Sequence, residues 1–237
     1  MRLHRFILSS FNFSNKSLKI IDADLVNQFR KVLRFKTGDR VILGNGKMEE
    51  VVAEINEINN EFINVKILEF GLNKKEPQIH AILYCSILKR ENFELVAQKA
   101  TEVGIKEITP IICKRTVKLD IRRDRLEKII KEAAEQSARG VVPALHKALV
   151  FEQALERAKQ SDLNIFFDFS GREINGLKDT LSGKKKIGIF VGPEGGWEES
   201  EIEIARNIDN FRIFNLGKLS LKAETAAVIS SYLICQL

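Results

Sequence analysis

The chain has 237 residues, of which 44% are hydrophobic and 30% are charged, and its formal net charge is +6. This composition is typical of a folded protein with a substantial core, and it excludes collagen-like, low-complexity and disordered chains. Because the apolar runs are far shorter than the roughly 20 residues that cross a bilayer, and the N-terminus has too few consecutive apolar residues for a signal peptide, we expect a cytoplasmic protein without membrane contacts.

The first part of the chain alternates apolar and polar residues, as antiparallel strands do. Strands are predicted at HRFIL, RVILG, KMEEVVAEINEI and FINVKIL. One helix interrupts them after Asp22, which is a suitable N-cap. The apolar face of this helix is predicted to consist of Leu25, Phe29, Val32 and Leu33. The region therefore predicts a small antiparallel barrel or sheet.

A domain boundary is predicted near Asn73, because residues 71–77 have turn and charge character without periodicity. The predicted domains are residues 1–73 and 74–237. In the second, short apolar runs alternate with helical stretches, which predicts an α/β fold with a parallel sheet. Strands are predicted at IHAILY, EITPII, NIFFDF, KIGIFV and FRIFNL. Helices are predicted around residues 93–100 and at 123–138, 151–159, 198–206 and 223–235.

A glycine-rich loop at residues 192–196 follows the strand KIGIFV and precedes an acidic helix start. Glycines let a ligand approach the backbone closely, and open α/β sheets bind ligands at the carboxyl ends of their strands. Carboxylates in the next helix disfavour a phosphate ligand, although they suit the helix dipole. The alternative is an ordinary tight turn between a strand and a helix.

A second loop, residues 216–226, follows the next strand FRIFNL and reads LGKLSLKAETA. Loops that end neighbouring parallel strands can converge, so their backbone groups could grip the edge of a purine, as an adenosyl ligand requires. Taken alone, this loop is equally consistent with a helix stop followed by a helix start.

Much of the positive charge lies between Cys113 and Lys147, where ten Lys and Arg residues against five acidic ones give 10 − 5 = +5. Such a run is usually a solvated helix face, but a nucleic-acid contact surface has the same signature. The candidate nucleic-acid contacts are Lys89, Arg90, Lys99, Arg115, Arg122 and Arg139. Three cysteines without a C-x-x-C pair and three scattered histidines predict no metal site.

Four segments in order resemble the ribosomal RNA small subunit methyltransferase E family. They are KRENFELVAQKATEVGIKEITPII, EAAEQSARGVVP, GPEGGW and LGKLSLKAETA, and the N-terminal HRF and KVLRFKTGD are similar to the PUA-like domain of that family. The resemblance implies a SPOUT-type parallel α/β sheet with a C-terminal trefoil knot, preceded by a small PUA-like β-barrel domain. It also implies a homodimer that uses S-adenosylmethionine to methylate N3 of a uridine in 16S rRNA of the small ribosomal subunit, at position 1498 in the usual numbering.

The same resemblance implies which residues bind the methyl donor. They are Phe167, Asp168, Gly192, Pro193, Glu194, Gly195, Gly196, Leu216, Gly217, Leu221 and Thr225. The chain departs from the family pattern L-G-P-x-I-L-R-x-E-T at Lys218, Ser220 and Lys222, and Gly140 replaces a more usual polar residue. Lysine lacks the planar fork of the arginine that it replaces at position 222.

Uracil N3 is a poor nucleophile until it loses its proton, so the reaction needs a base within hydrogen-bond reach and a nearby cation. Glu224 is the candidate base, although it could equally cap its own helix, and Lys222 and Arg139 are the candidate cations. No metal is required. Two other hypotheses stay open: a noncatalytic RNA-binding or ribosome-assembly protein, and a SPOUT methyltransferase that acts on tRNA or on a ribose hydroxyl.

Overall fold

The computed structural model describes residues 3–8, 16–117 and 120–237. Lys118, which belongs to the predicted basic stretch, lies outside the described residues. The chain divides into two compact units. The first consists of Met1–Glu76 and Glu135–Val141, and the second of Pro77–Ala134 and Val142–Leu237. None of the helices in the described ranges is long and apolar enough to cross a membrane.

Within the described residues, the first unit is built on a five-stranded sheet. Its strands are β1 (Arg5–Ile7), β2 (Ser17–Ile20), β3 (Arg40–Gly44), β4 (Glu49–Ile58) and β5 (Ile63–Leu72). They lie in the order β1-β3-β4-β5-β2, and every neighbouring pair is antiparallel except β1 and β3, which are parallel. The prediction of a purely antiparallel sheet was therefore wrong for β1, because alternation marks a strand but not its direction.

The predicted helix of this unit has two parts, α1 (Ala23–Asn27) and a π-helical turn (Gln28–Val32). Asp22 caps it as predicted, since its side chain accepts a hydrogen bond of 3.0 Å from the backbone N–H of Leu25. Phe29 is fully buried, whereas Val32 is 71% exposed. The prediction for Val32 was wrong because a π turn bonds residues five apart, which rotates Val32 off the face that an α-helix would give it.

The second unit is built on a parallel sheet, as predicted. Its strands are β6 (His80–Ser86), β7 (Glu107–Ile112), β8 (Ala144–Leu145), β9 (Leu149–Val150), β10 (Leu163–Glu173), β11 (Lys186–Val191) and β12 (Phe211–Asn215). The order is β12-β10-β11-β6-β7-β8, β9 also pairs with β7, and all these pairings are parallel.

Helices cover both faces of this sheet. They are α2 (Arg90–Val103), α3 (Arg123–Gln136), α4 (Phe151–Ala158), α5 (Leu177–Leu181), α6 (Glu199–Arg206) and α7 (Ala223–Cys235). Alternate residues of β6 enter two separate cores, with Leu83 on one face and Tyr84 on the other. Burial on both faces explains why these strands are continuously apolar in the sequence.

A buried ion pair holds residues 135–141 in the first unit. The Glu76 carboxylate accepts hydrogen bonds from Arg139 Nε (3.1 Å) and Nη2 (2.7 Å) and from the backbone N–H groups of Gly140 (3.0 Å) and Val141 (3.1 Å). Both charged side chains are only 5% exposed. This placement disagrees with the expectation that Arg139 faces RNA or substrate, because its charge is buried and already compensated by Glu76.

The close approach of Asn73 explains the departure at Gly140. A Cβ atom at Gly140 would lie 2.5 Å from the Cβ of Asn73. The Asn73 amide in turn donates a hydrogen bond of 3.1 Å to the carbonyl of Ala138. A larger side chain at position 140 would therefore clash with Asn73 and displace residues 135–141 from the end of β5.

The Glu76 site predicts a local loss of stability. Breaking a buried ion pair costs about 3 to 5 kcal/mol, so Glu76→Ala should lower the free energy of unfolding of the first unit by about that amount. Hydrogen exchange should accelerate at the amides of Gly140 and Val141, which both donate to Glu76. The matched control is Glu69→Ala, which removes an exposed carboxylate of the same unit. Unchanged protection of the two amides would contradict this role of Glu76.

Candidate functional site

A pocket of about 330 Å³ lies at the carboxyl ends of β11 and β12 and beside residues 167–169 of β10. Because β11 and β12 lie on either side of β10, the loops that follow them converge on the part of β10 where its pairing with β11 stops, after Phe167. The residues that line the pocket are Phe167, Asp168, Phe169, Val191, Gly192, Pro193, Glu194, Gly195, Gly196, Trp197, Asn215, Leu216, Gly217, Leu219, Ser220, Leu221, Ala223 and Ala226.

The pocket brings together all the predicted donor-binding residues except Thr225, which is exposed and does not line it. Sequence reasoning missed several lining residues. They are Phe169, Val191, Trp197, Asn215, Leu219, Ser220, Ala223 and Ala226. Most of these are apolar residues beside the glycine motifs, and the signal that could have found them is their position at the ends of the predicted strands.

Two glycines of the loop at residues 192–196 are required by its shape. A Cβ at Gly192 would lie 2.9 Å from the indole ring of Trp197, and Gly196 has a φ of +71°. A Cβ at Gly195 would instead be in ordinary contact, at 3.5 Å, with the Arg115 side chain. The loop therefore needs glycine for tertiary packing at Gly192 and for a left-handed backbone at Gly196.

Side-chain hydrogen bonds fix this loop from three directions. Arg115 Nη1 donates to the carbonyl of Gly195 at 2.9 Å, and Trp197 Nε1 donates to the carbonyl of Phe167 at 3.0 Å. A Glu194 side-chain oxygen accepts from the backbone N–H of Lys89 at 3.1 Å. Arg115 was expected to contact RNA, but its guanidinium binds the carbonyl of Gly195 and fixes the loop.

The acidic start of α6 is also used for folding. Glu198 and Glu201 form a capping box, and the buried Glu201 accepts a hydrogen bond of 3.0 Å from the backbone N–H of Lys114. Glu198 pairs with Arg115 Nε at 2.7 Å. These two carboxylates are therefore bound to protein groups and do not by themselves exclude a phosphate ligand.

The lining of the pocket disfavours a phosphate ligand. Its charged side chains are the carboxylates Asp168 and Glu194, and none of the described residues that line it is Lys or Arg. Such a lining is unfavourable for a triphosphate and favourable for a ligand with a cationic centre. The apolar residues of the lining suit a flat heterocyclic ring.

The proposed catalytic residues of the last segment lie beside the pocket lining. Lys222 is exposed and occupies the N-cap position of α7, and Glu224 is half-buried in the first turn. Neither side chain lines the pocket, but their neighbours Leu221 and Ala223 do. The side chain at the N-cap position makes no capping hydrogen bond, and Glu224 complements the helix dipole from within the first turn.

An arginine cluster lies at the starts of α2 and α3. The Glu94 carboxylate accepts from Arg125 Nε at 2.7 Å and from Arg90 Nε at 3.1 Å, and the Arg125 hydrogen bond lowers the pKa of Glu94. Arg122 lies 3.8 Å from Asp124 and is half-exposed. Arg125 was not among the predicted RNA contacts, because a charged residue at its position is typical of an ordinary solvated helix face.

The two remaining lysines that were predicted to contact RNA are both on α2 or at its start. Lys99 pairs with Glu102 at 2.8 Å, and Lys89 is exposed at the N-cap position of α2.

Two of the three histidines share one carboxylate partner. Glu107 lies 2.6 Å from His80 Nε2 and 2.7 Å from His146 Nε2, within hydrogen-bond distance of both. Within the described ranges, no group of three His, Cys, Asp or Glu side chains could hold a metal ion.

Two family models match the chain. A family model described as an RNA methyltransferase domain matches residues 74–234, and one described as an RNA methyltransferase PUA domain matches residues 21–68. The chain is 31% identical to Ribosomal RNA small subunit methyltransferase E of Rickettsia conorii over 231 residues, which cover 96% of this chain and 93% of the relative.

A second relative, the Bacillus subtilis protein of the same name, is 30% identical over 218 residues, which cover 87% of this chain and 85% of that protein. Among solved structures, a Ribosomal RNA small subunit methyltransferase E from Neisseria gonorrhoeae bound to S-adenosyl methionine superposes with a TM-score of 0.87. That structure is 25% identical, and the match covers 98% of this chain and 97% of the neighbour.

The contact from Arg115 predicts a positioning role toward the ligand loop. Removing a charge-assisted hydrogen bond costs about 1.5 to 3 kcal/mol, so Arg115→Ala should weaken binding of S-adenosylmethionine about tenfold or more, and Arg115→Lys should lie between that variant and the parent. Calorimetry measures both affinities. The control is Arg125→Ala, since Arg125 is similarly exposed but pairs with Glu94. Equal affinities of the parent and Arg115→Ala would refute the role.

Proposed function

The chain belongs to the ribosomal RNA small subunit methyltransferase E family, and from this premise we propose that it methylates N3 of a uridine in 16S rRNA. Family membership makes it an RNA methyltransferase that uses S-adenosylmethionine. We further propose that the methyl group goes to atom N3 and that the target is uridine 1498 in the usual numbering. The observation that carries it is the pocket that β10 and the loops after β11 and β12 enclose.

The residues of this pocket fit the methyl donor. S-adenosylmethionine combines a positively charged sulfonium with an adenine ring, and the pocket combines two carboxylates with apolar and backbone groups. We assign donor binding to lining residues of β10 and of the loops after β11 and β12. They are Phe167, Asp168, Gly192, Pro193, Glu194, Gly195, Gly196, Leu216, Gly217 and Leu221. The family resemblance implies that Thr225 also binds the donor. Because its side chain is exposed and does not line the pocket, we propose that it contacts the donor only through its backbone or at the edge of the site.

The bound donor supplies an activated methyl group, and the chain supplies position, proton transfer and a local field. In the proposed mechanism, Glu224 accepts the N3 proton of the uracil. Lys222 places a positive charge near the uracil oxygens, where negative charge develops as the proton leaves. Because N3 lies on the Watson-Crick edge, the target uridine must be unpaired or flipped out of its stack. Arg139 is not assigned a part, since Glu76 already neutralises it.

We propose that RNA contacts the exposed basic residues at the start of α2 and α3. Lys89, Arg90 and Arg122 are exposed there. Lys99 of α2, which pairs with Glu102, is proposed as a separate RNA contact. The first domain, residues 1–73, is proposed to be the PUA-like RNA-binding part, and residues 74–237 the methyltransferase part. The partner in this proposal is the 16S rRNA of the small ribosomal subunit, so the place of action is the cytoplasm.

We also propose that the protein is a homodimer and that its C-terminal segment carries the trefoil knot of the SPOUT fold. The support for a dimer is the outer surface of α7, where Ile229 is 38% and Tyr232 is 53% exposed. A second copy would cover these apolar side chains. Light scattering at micromolar concentration tests this part, and a particle of 27.0 kDa would contradict it.

The decisive experiment uses 16S rRNA from a strain that lacks this gene. The purified protein with S-adenosylmethionine should restore a stop in primer extension at the target uridine, because a methyl group on N3 blocks base pairing. Donor binding without methyl transfer would favour a noncatalytic assembly protein. A methyl group on tRNA or on a ribose hydroxyl would favour the other SPOUT hypothesis and overturn the proposed target.

The proposed role of Lys222 predicts a specific kinetic defect. Removing a group that stabilises developing charge lowers kcat by about 10²-fold, so Lys222→Ala should show this loss with little change in donor affinity. Lys222→Arg should retain most of the activity, because a positive charge is sufficient for this effect. The matched control is Lys218→Ala, which removes an exposed lysine of the same loop. Parental kcat in Lys222→Ala would show that Lys222 has no catalytic role.

A further inference from the structure

An aromatic side chain is exposed at the mouth of the pocket. Phe169 lines the pocket, yet its side chain is 63% exposed. Leu219 lines it from the loop after β12 and is 79% exposed. The other aromatic residues of the lining, Phe167 and Trp197, are 6% and 4% exposed. The lining thus has a buried aromatic part inside and a second apolar part at its solvent edge.

The position of Phe169 results from an interruption of β10. The pairing of β10 with β12 shifts register between Phe167 and Arg172, so the intervening residues bulge out of the ladder. A bulge re-aims the side chains that it carries. Here it turns Phe169 out of the core and toward the pocket mouth.

The bulge is held firmly. Asp168 Oδ1 accepts a hydrogen bond of 2.8 Å from the backbone N–H of Ser170, and Asn215 Nδ2 donates one of 2.8 Å to the carbonyl of Gly171. A Cβ at Gly171 would lie 2.5 Å from the backbone of Phe214, so the chain is pressed against β12 there. The exposure of Phe169 is therefore built into a fixed turn, because both flanks of the residue are bonded.

We propose that Phe169 is the platform on which the uracil ring of the substrate stacks, with Leu219 facing the other side of the ring. A flipped base is typically held between aromatic or apolar side chains. Stacking on one aromatic ring contributes about 1 to 3 kcal/mol per base. The ring lies at the edge open to solvent, from which RNA must arrive, whereas the buried part of the lining is left to the donor. This inference rests on the proposed function.

The test compares two RNAs that differ only at the target position. One 16S rRNA fragment carries the target uridine and the other an abasic site, and both are bound in the presence of S-adenosylhomocysteine to prevent turnover. The parent should bind the uridine RNA about 5- to 100-fold more tightly than the abasic RNA. Phe169→Leu should bind both alike, and Phe169→Tyr should keep the preference of the parent.

Two controls separate base stacking from a general loss of apolar surface and from a defect in donor binding. Ile204→Ala removes an exposed apolar side chain that does not line the pocket, and it should behave as the parent. The affinity of Phe169→Leu for S-adenosylmethionine should stay within about twofold of the parental value, because the buried part of the lining is unchanged. A loss of donor affinity that matches the loss of RNA affinity would assign the ring to the donor and overturn the inference.

Methylation by the parent is measured on the same uridine RNA. If the parent transfers a methyl group and Phe169→Leu still distinguishes uridine from the abasic site, the inference alone is refuted. If the parent transfers no methyl group to this RNA, the proposed target is refuted and the assignment of the ring to its uracil falls with it. The two failures are therefore distinguishable in one series of measurements.

Discussion

The shape of the pocket depends on the contact between Trp197 and Gly192. The indole occupies space that a Cβ at Gly192 would take, and its N–H donates to the carbonyl of Phe167 in the middle of β10. The same ring packs on Phe166, with centroids 4.2 Å apart. One buried side chain thus joins the loop after β11 to the neighbouring strand and to the core. Because the tryptophan is held by apolar burial and by a hydrogen bond, the ligand loop is fixed by the stability of the sheet.

The architecture of the second unit was predictable because its signals are local. Short apolar runs between helical stretches predict buried parallel strands, and β7 and β11 have the bounds that the sequence pattern gives. The ligand loop was predictable from glycines at a strand end. The burial of Arg139 was not, since its partner Glu76 lies 63 residues earlier in the chain. Likewise, nothing in the sequence around Arg115 shows that its guanidinium reaches the carbonyl of Gly195, and nothing around Phe29 signals the π turn that contains it.

Negative and positive side chains are concentrated at different places on the protein. Several arginines that contribute to the net charge of +6 are bound to carboxylates, as Arg139 is to Glu76 and Arg115 is to Glu198. The pocket carries carboxylates, while an exposed arginine cluster lies at the helix starts around Glu94. A cationic small molecule and a polyanionic partner therefore meet complementary fields at different places. Total charge alone would not have shown this separation.

The position of β12 beside β10 has a consequence for synthesis of the protein. Two walls of the pocket, residues 167–169 of β10 and residues 191–197 after β11, are made before the third, which consists of residues 215–226. While the chain is being translated, the first two walls emerge from the ribosome without the third. The complete pocket can form only after β12 and the start of α7 have emerged and docked. A chain released early, before residue 215, would retain most of the sheet but could not enclose a ligand.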